Sequence, residues 1–226
     1  MCGRFSFATN KEKVIKEFPK LQLDLPLEIN YNVAPTQDAY VINNNFPNVL
    51  TTFRWGLIPN WTKPGASLRT LINARSESIF SKASFRMPIR KRRCIVLADS
   101  FYEWKREGKK KMPYRILPQD DALLKMAGIW DTWRTPSGEL IYSFAIITIP
   151  PNQEVANIHD RMPVLLQEKS AQEAWLSDIP KEEIDNLMQT IADDYLKIYP
   201  ISPLVNSVKS TMKQIHDEYH APPTLF

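Results

Sequence analysis

The stretch that decides the fold is RCIVLA at residues 93–98, with FYEW at residues 101–104 close behind it. A short apolar run of this length is typical of a buried strand. Outward from it, runs rich in β-branched and aromatic residues predict strands at 4–7, 38–42, 48–55, 113–117, 123–130, 140–149 and 195–201. Because these strands do not alternate regularly with helices, we predict a single α+β domain built on mostly antiparallel sheet.

Helices are predicted in the gaps between the strands. Capping and periodicity signals favour helical segments at 10–18, 73–80, 153–158, 170–176 and 180–191. The fourth of these opens with a capping box made of Ser170 and Glu173. Loops are predicted at 62–68 and 81–88. The polar tail is expected to be loosely held, so we predict a domain at residues 1–210 and a tail at 211–226.

Composition excludes several classes of protein. The chain is 43% hydrophobic and 11% aromatic, which is typical of a globular domain. No apolar run approaches the roughly 20 residues needed to cross a bilayer, and no secretory leader is visible. We therefore expect no membrane partner and a cytoplasmic location. Cys2 and Cys94 are the two cysteines and only three histidines occur, so we expect no disulfide scaffold, metal site or cofactor.

Charge is distributed unevenly along the chain. Residues 51–119 carry a net charge of +12 and the remainder −8. A basic segment of this kind is typical of a nucleic-acid binding surface. The alternative is that the basic residues at 105–111 only solvate a hairpin tip. Other arginines sit among aromatic and apolar residues, where anionic partners are expected: Arg54, Arg69, Arg75 and Arg86.

Cys2 directly follows the initiator methionine. Aminopeptidases remove Met1 when the next side chain is small, which would leave an α-amine and a thiol on adjacent carbons. Such a 1,2-aminothiol condenses with an aldehyde to a Schiff base, and the sulfur then closes a thiazolidine ring. Reference pKa values of about 7.7–8.0 and about 8.5 predict a usable fraction of both nucleophiles near neutral pH. The alternative is a chance cysteine at an unimportant terminus.

Three polar residues fall where the local pattern does not require them. Glu103 is flanked by aromatic residues, so burial would raise its pKa and suit it to proton transfer; otherwise it is an exposed glutamate at a strand end. His159 in HDRMP can exchange a proton near neutral pH, or it is a satisfied structural histidine. Asn73 could hold a carbonyl or hydroxyl group, or it caps a helix.

Other candidates have both a functional and a structural interpretation. Arg75 could contact phosphate or pair with Glu77. Trp55, Trp61 and Trp104 offer flat surfaces for unstacked bases, although tryptophans more often lie in the core. Cys94 is interpreted as an inert core residue.

Taken together, these residues resemble the SOS-response-associated peptidase family, also called the SRAP domain. The matching segments follow the family's order from residue 2 to about residue 206, which makes the resemblance highly specific. They are MCGRF (1–5), YNVAP (31–35), RWGLIP (54–59), NARSE (73–77), RCIV (93–96), FYEW (101–104), HDRMP (159–163), PIS (200–202) and VN (205–206).

The resemblance implies a barrel-like fold flanked by helices, and covalent linkage to abasic sites in single-stranded DNA. Cys2 would be the nucleophile, and Asn73, Glu103 and His159 would position and protonate the sugar aldehyde. The residues implied to bind DNA are Arg4, Arg75 and Arg161, to which we add Trp55. A further cation, Lys82 or Arg86, would also contact DNA. No metal is implied, and we expect a monomer that is associated with the nucleoid when it is bound to DNA.

Two rival hypotheses remain open. In the first, Cys2 attacks an amide carbonyl, which would make the chain a thiol hydrolase or a self-processing peptidase. In the second, the chain is a single-stranded DNA binding module without covalent chemistry.

Overall fold

The computed structural model describes residues 2–63, 70–108 and 110–220. Most of the predicted loop at 62–68, Arg69, Lys109 and the end of the predicted tail lie outside the described residues. The strands are β1 (Phe5–Phe7), β2 (Asn30–Val33), β3 (Asp38–Asn43), β4 (Phe46–Trp55), β5 (Asn73–Arg75), β6 (Arg93–Ala98), β7 (Ser100–Glu107), β8 (Lys110–Pro118), β9 (Leu124–Arg134), β10 (Leu140–Ile149), β11 (Met162–Pro163) and β12 (Leu196–Pro200). The α-helices are α1 (Lys11–Glu17), α2 (Pro88–Lys91), α3 (Gln153–Ala156), α4 (Lys169–Leu176) and α5 (Lys181–Leu187).

Five strands close into a barrel in the order β10-β4-β3-β6-β9, and β9 pairs again with β10. The pairs are antiparallel except β4 with β10, where Ser143 lies beside Arg54. Two short strands extend the barrel along β10, since β5 joins it in parallel and β11 in antiparallel fashion. The predicted α+β class with mostly antiparallel, barrel-like sheet is confirmed.

The run at 93–98 is β6, and all six of its residues are buried, as predicted. Cys94 is 0% exposed and is a core residue, also as predicted. Arg93 is 1% exposed, and its guanidinium donates to the carbonyls of Ile89 and Trp175 at 2.9 and 2.8 Å. Because those carbonyls lie at α2 and α4, this buried cation fastens two helices to the barrel.

The second sheet has the order β12-β8-β7-β1-β2 and packs beside the barrel. β1 and β7 are antiparallel, with Phe5 opposite Phe101 and Ser6 opposite Ser100. This pairing brings the amino-terminal end of the chain alongside the FYEW segment.

Helix prediction was right in part. α1 is capped by Asn10, whose Oδ1 accepts from the Lys13 amide at 2.9 Å. The predicted helix at 73–80 is wrong, because residues 73–75 form β5 beside β10 and only a 3₁₀ turn follows at Ser76–Ser78. The predicted capping box is wrong as well, since α4 begins at Lys169 and places Ser170 inside its first turn.

The carboxyl-terminal segment is packed rather than loosely held over residues 211–220. A 3₁₀ turn at Lys213–His216 buries Ile215 completely, and Ile201 pairs with Glu218 in a β-bridge. One buried apolar side chain therefore anchors a stretch that composition alone marks as solvated. Within the described residues, no helix combines the length and apolar character needed to span a bilayer.

Candidate active site around Cys2

The register of β1 against β7 positions Cys2. The Tyr102 amide donates to the Arg4 carbonyl at 2.9 Å, which continues the antiparallel ladder beyond β1. The charge of Glu103 acts on the Cys2 thiol, so the two side chains lie near one another. Backbone pairing at Arg4 thus holds Cys2 near a carboxylate that is distant from it in sequence.

Asn73 holds Cys2 from the barrel side. Its Nδ2 donates to the Cys2 carbonyl at 2.8 Å. Asn73 is the first residue of β5, so its interpretation as a helix cap is wrong. Its Oδ1 is buried and accepts no hydrogen bond from the described residues. A buried acceptor of this kind is available to a substrate hydroxyl or amine.

Glu103 lies in the middle of β7 and is 2% exposed, which excludes the exposed strand-end alternative. Burial raises the pKa of Glu103 to about 7. A carboxyl with this pKa can both donate and accept a proton near neutrality, as the sequence predicts for proton transfer.

His159 faces Glu103 across the site, with its Nε2 3.8 Å from Glu103 Oε2. Its Nδ1 accepts from the Arg161 amide at 3.1 Å and lies 2.8 Å from Asp160 Oδ1. Burial lowers the pKa of His159, so the neutral ring is favoured near pH 7. Acceptance by Nδ1 from the Arg161 amide puts the ring proton on Nε2, whereas donation from Nδ1 to Asp160 leaves Nε2 as an acceptor that faces Glu103.

The Cys2 thiol corrects one expectation. Cys2 is 0% exposed, and burial, followed by the charge of Glu103, raises the pKa of its thiol. The expected thiolate fraction near neutral pH is therefore wrong for this buried state. A thiol in this state would react only after a neighbouring base takes its proton, and Glu103 has a pKa suited to that role.

A cleft of about 440 Å³ opens beside these residues, within the range of small-ligand sites. Its lining is polar and mostly ionisable: Glu103, Trp104, Arg106, Lys111, His159 and Asn206. Trp104 Nε1 donates to Asn206 Oδ1 at 2.7 Å, which fixes the indole at the cleft wall.

Trp55 is not a stacking surface for bases. It is 0% exposed, its Nε1 donates to the Ile72 carbonyl at 3.0 Å, and its ring stacks on Phe144 with centroids 6.5 Å apart. The prediction that Trp55 binds DNA is wrong because β4 turns this side chain into the core. Trp61 is 62% exposed and Trp104 lines the cleft, so these two keep an accessible face.

The two arginines near β5 have different environments. Arg161 is 7% exposed, and its guanidinium binds both Glu77 oxygens and the Thr148 carbonyl. This pair lowers the pKa of Glu77 to about 2, with the Arg161 hydrogen bond as the main cause. Arg161 thus fixes the loop that carries His159, and its contact with a phosphate stays a prediction. Arg75 is exposed and does not take Glu77 as its partner.

Arg4 is half-buried, and its Nη1 donates to Asn32 Oδ1 at 2.8 Å and to the Val205 carbonyl at 3.1 Å. Arg4 therefore fastens the carboxyl-terminal segment instead of lining the cleft. Arg54 is half-buried, whereas Lys82 and Arg86 are both exposed, so the structure leaves the choice between the last two open.

Thr148 is a site residue that sequence reasoning missed. β5 and β10 run in parallel with Asn73 beside Ile146, which puts the Thr148 and Asn73 side chains on the same face. Thr148 is 0% exposed, and its Oγ1 has no hydrogen-bond partner among the described residues. No sequence signal marks it, because a threonine within an apolar strand is common. Asn206 lies in the matching VN segment, but the sequence does not predict that it lines the cleft.

No three histidine, cysteine, aspartate or glutamate side chains in the described part of the chain come together as a set that could hold a metal ion.

Fold and site together define a protein that places a cysteine from its amino-terminal end beside a buried carboxyl and a histidine. The family model for SOS response associated peptidase (SRAP) matches residues 1–208, and the chain belongs to that family. The abasic site processing protein YoqW of Bacillus subtilis is 39% identical over 97% of this chain and 100% of its own length. The abasic site processing protein HMCES of Mus musculus is 37% identical over 80% of this chain and 62% of that protein. A crystal structure of a protein from Bacteroides thetaiotaomicron is 30% identical, with a TM-score of 0.88 over 97% of this chain and 100% of that one.

Proposed function

We propose that this chain processes abasic sites in single-stranded DNA by forming a covalent DNA–protein crosslink through Cys2 after Met1 is removed. The family membership and the names of the relatives support the substrate. The observation that carries the chemistry is the placement of Cys2, whose carbonyl accepts a hydrogen bond from Asn73 and whose thiol lies close enough to Glu103 to feel its charge.

The first covalent step joins nitrogen to carbon. An abasic deoxyribose opens to expose its C1′ aldehyde, and the Cys2 amine adds to that carbon to give a carbinolamine. Protonated Glu103, or the imidazolium form of His159, gives a proton to the departing hydroxyl, water leaves, and a protonated imine remains. Asn73 Oδ1 is a buried acceptor at this position and can orient the sugar or the amine.

The second step joins sulfur to the same carbon. The thiol gives its proton to ionised Glu103 as the S–C1′ bond forms, and the imine electrons return to nitrogen. The product is a five-membered thiazolidine. Ring closure removes the cationic imine, which otherwise promotes β-elimination of the 3′ phosphate. The crosslink therefore shields the lesion from strand cleavage.

The direct test is to incubate the protein with a single-stranded oligonucleotide that contains one abasic site. We expect a heat-stable adduct on a denaturing gel and an intact-mass change of one oligonucleotide minus one water per chain. The mass of the protein alone reports whether Met1 has been removed.

Cys2→Ser is the matched variant, because it keeps the amine and removes the sulfur. It should give only a labile imine that borohydride traps. A chain with a lysine inserted between Met1 and Cys2, which blocks Met1 removal, should form no stable adduct. If either variant crosslinked as durably as the parent, the thiazolidine mechanism would be wrong.

The rival hypotheses predict different outcomes in the same assay. A thiol hydrolase or self-processing peptidase would release Met1 or cleave a peptide without needing DNA. A binding module without chemistry would retain DNA regardless of the missing base, and replacing Glu103 or His159 would leave its behaviour unchanged.

A further inference from the structure

The hairpin between β7 and β8 carries two like charges at the cleft. The register places Arg106 directly opposite Lys111, and both side chains are exposed. Both also line the cleft that contains Glu103 and His159. Like charges directly opposite one another destabilise an antiparallel pair. An anion bound between them would remove that repulsion.

Little in the protein itself neutralises this pair. Across residues 2–63, 70–108 and 110–220, neither Arg106 nor Lys111 forms a salt bridge. The carboxyl that lines the same cleft is Glu103, which burial leaves only partly ionised near pH 7. The positive charge of Arg106 acts on His159, because it adds to the effect of burial in lowering the pKa of that histidine.

The neighbouring hairpin residues do not share this arrangement. Lys110 is exposed and does not line the cleft. The basic hairpin therefore divides into a pair that faces the site and a lysine that does not. The alternative that the basic residues at 105–111 only solvate a hairpin tip fits Lys110 but not Arg106 and Lys111.

We propose that Arg106 and Lys111 bind a backbone phosphate of the strand that carries the lesion. This site is separate from Arg75 and is not among the residues that the family resemblance implies. A guanidinium fork matches phosphate oxygens in pairs, and a lysine adds a point charge from the facing strand. The inference rests on the proposed function for the identity of the ligand. It adds a binding contact that holds the abasic sugar at Glu103 and His159.

The test measures non-covalent binding, so that it does not depend on the covalent step. The probe is a single-stranded oligonucleotide with one tetrahydrofuran residue, an abasic analogue that lacks the aldehyde. Arg106→Gln, Lys111→Gln and the double variant are titrated at several salt concentrations. We expect the double variant to bind about tenfold more weakly at low salt. The slope of log affinity against log salt should become shallower by about 0.7 for each phosphate that the variant no longer binds.

Lys110→Gln is the matched control, because it removes one charge from the same hairpin. It should change affinity less than twofold. Thermal melting checks folding, and the melting temperature of Arg106→Gln should be unchanged or higher since a repulsion is removed. Equal losses of affinity in Lys110→Gln and Lys111→Gln, or unaltered binding by the double variant, would overturn the phosphate site.

Parallel reactions with an aldehyde-bearing oligonucleotide separate this inference from the proposed function. If the parent forms an adduct and the double variant binds the analogue normally, only the phosphate site fails. If the parent forms no adduct but binding still depends on Arg106 and Lys111, the covalent function fails and the site stands.

Discussion

β7 carries two buried polar clusters on its opposite faces, and they differ in how fully their groups are paired. Tyr102 and Glu103 are adjacent, so their side chains point to opposite sides of the sheet, and both are at most 2% exposed. Tyr102 belongs to a cluster with Asp99, Arg115 and His216. Glu103 belongs to the site with Cys2, Asn73, Thr148 and His159.

In the Asp99 cluster every strong group has a partner. Asp99 accepts from Ser6 Oγ at 3.0 Å and from Arg115 Nη2 at 2.8 Å. The Tyr102 hydroxyl donates to the Tyr31 carbonyl at 2.7 Å and lies 2.9 Å from His216 Nε2. Such a network fixes structure and has no spare capacity for a ligand.

In the Cys2 site the polar groups keep unused capacity. Asn73 Oδ1 and Thr148 Oγ1 are buried without partners among the described residues, and the pKa of Glu103 is raised to about 7. Unsatisfied acceptors and a shifted pKa are costs to stability that proteins retain at functional sites. Burial alone does not separate the two clusters, whereas the pairing of their groups does.

The largest effect is expected from Glu103→Gln. Removing the acid–base group should slow adduct formation by about 10²–10⁴-fold, the usual contribution of general acid–base catalysis. The free energy of unfolding at pH 8 should not fall, because a buried carboxylate is replaced by a neutral amide. Single-turnover gel assays and urea denaturation measure the two quantities, with Glu173→Gln on the exposed face of α4 as control. A rate within threefold of the parent would remove Glu103 from the mechanism.

Arg115→Met should show the opposite behaviour. Arg115 and Asp99 form a buried ion pair, with side chains 12% and 7% exposed. Leaving Asp99 unpaired should lower the free energy of unfolding by about 3–5 kcal/mol. The folded fraction should still crosslink at close to the parent rate.

Lys91→Gln is the control for Arg115→Met. It removes an exposed ion pair with Asp178, whose side chains are 64% and 83% exposed, and should cost less than about 1 kcal/mol. If the two substitutions cost the same in urea denaturation, the Asp99 cluster has no special structural role.

The two clusters should also respond to pH with opposite signs. Burial lowers the pKa of His216 to about 4, so its contribution is complete above about pH 6.5 and is lost as pH falls through about 4. Burial raises the pKa of Glu103 to about 7, so its contribution is complete below about pH 4.5 and is lost as pH rises through about 7. Each contribution should amount to roughly 1–3 kcal/mol.

Urea denaturation from pH 4 to pH 8 tests whether the two contributions to the free energy of unfolding change with pH in opposite directions. Relative to the parent, His216→Gln should lose the part of stability that rises with pH, and Glu103→Gln the part that falls with pH. If the free energy of unfolding depended on pH in the same way in all three proteins, the pKa shifts of His216 and Glu103 would both be wrong.

Sequence reasoning recovered the features that depend on local pattern. Glu103 could be predicted because aromatic neighbours on one strand imply burial, and β6 because a short apolar run has few alternatives. The arrangement of the arginines could not, since Arg161 pairs with Glu77 from a 3₁₀ turn 84 positions away. The burial of Trp55 depends on Phe5 and Phe144, and the docking of the tail on a single isoleucine, Ile215. These contacts are made by distant segments and leave no local signal.

Thr148→Val is the smallest expected effect and the sharpest test of the comparison. The two side chains are nearly the same size, so the change removes a buried hydroxyl without opening a cavity. Because Oγ1 lacks a partner among the described residues, its loss should raise the free energy of unfolding by about 1 kcal/mol. If the hydroxyl orients the sugar or the imine beside Asn73, adduct formation should slow by roughly tenfold.

Ser143→Ala is the control, because Ser143 Oγ accepts from the Ile58 amide at 2.9 Å, and it should destabilise the protein without slowing the reaction. A Thr148→Val protein that is less stable than the parent would mean that the hydroxyl is paired after all. The difference in hydrogen bonding between the polar clusters on the two faces of β7 would then no longer include Thr148.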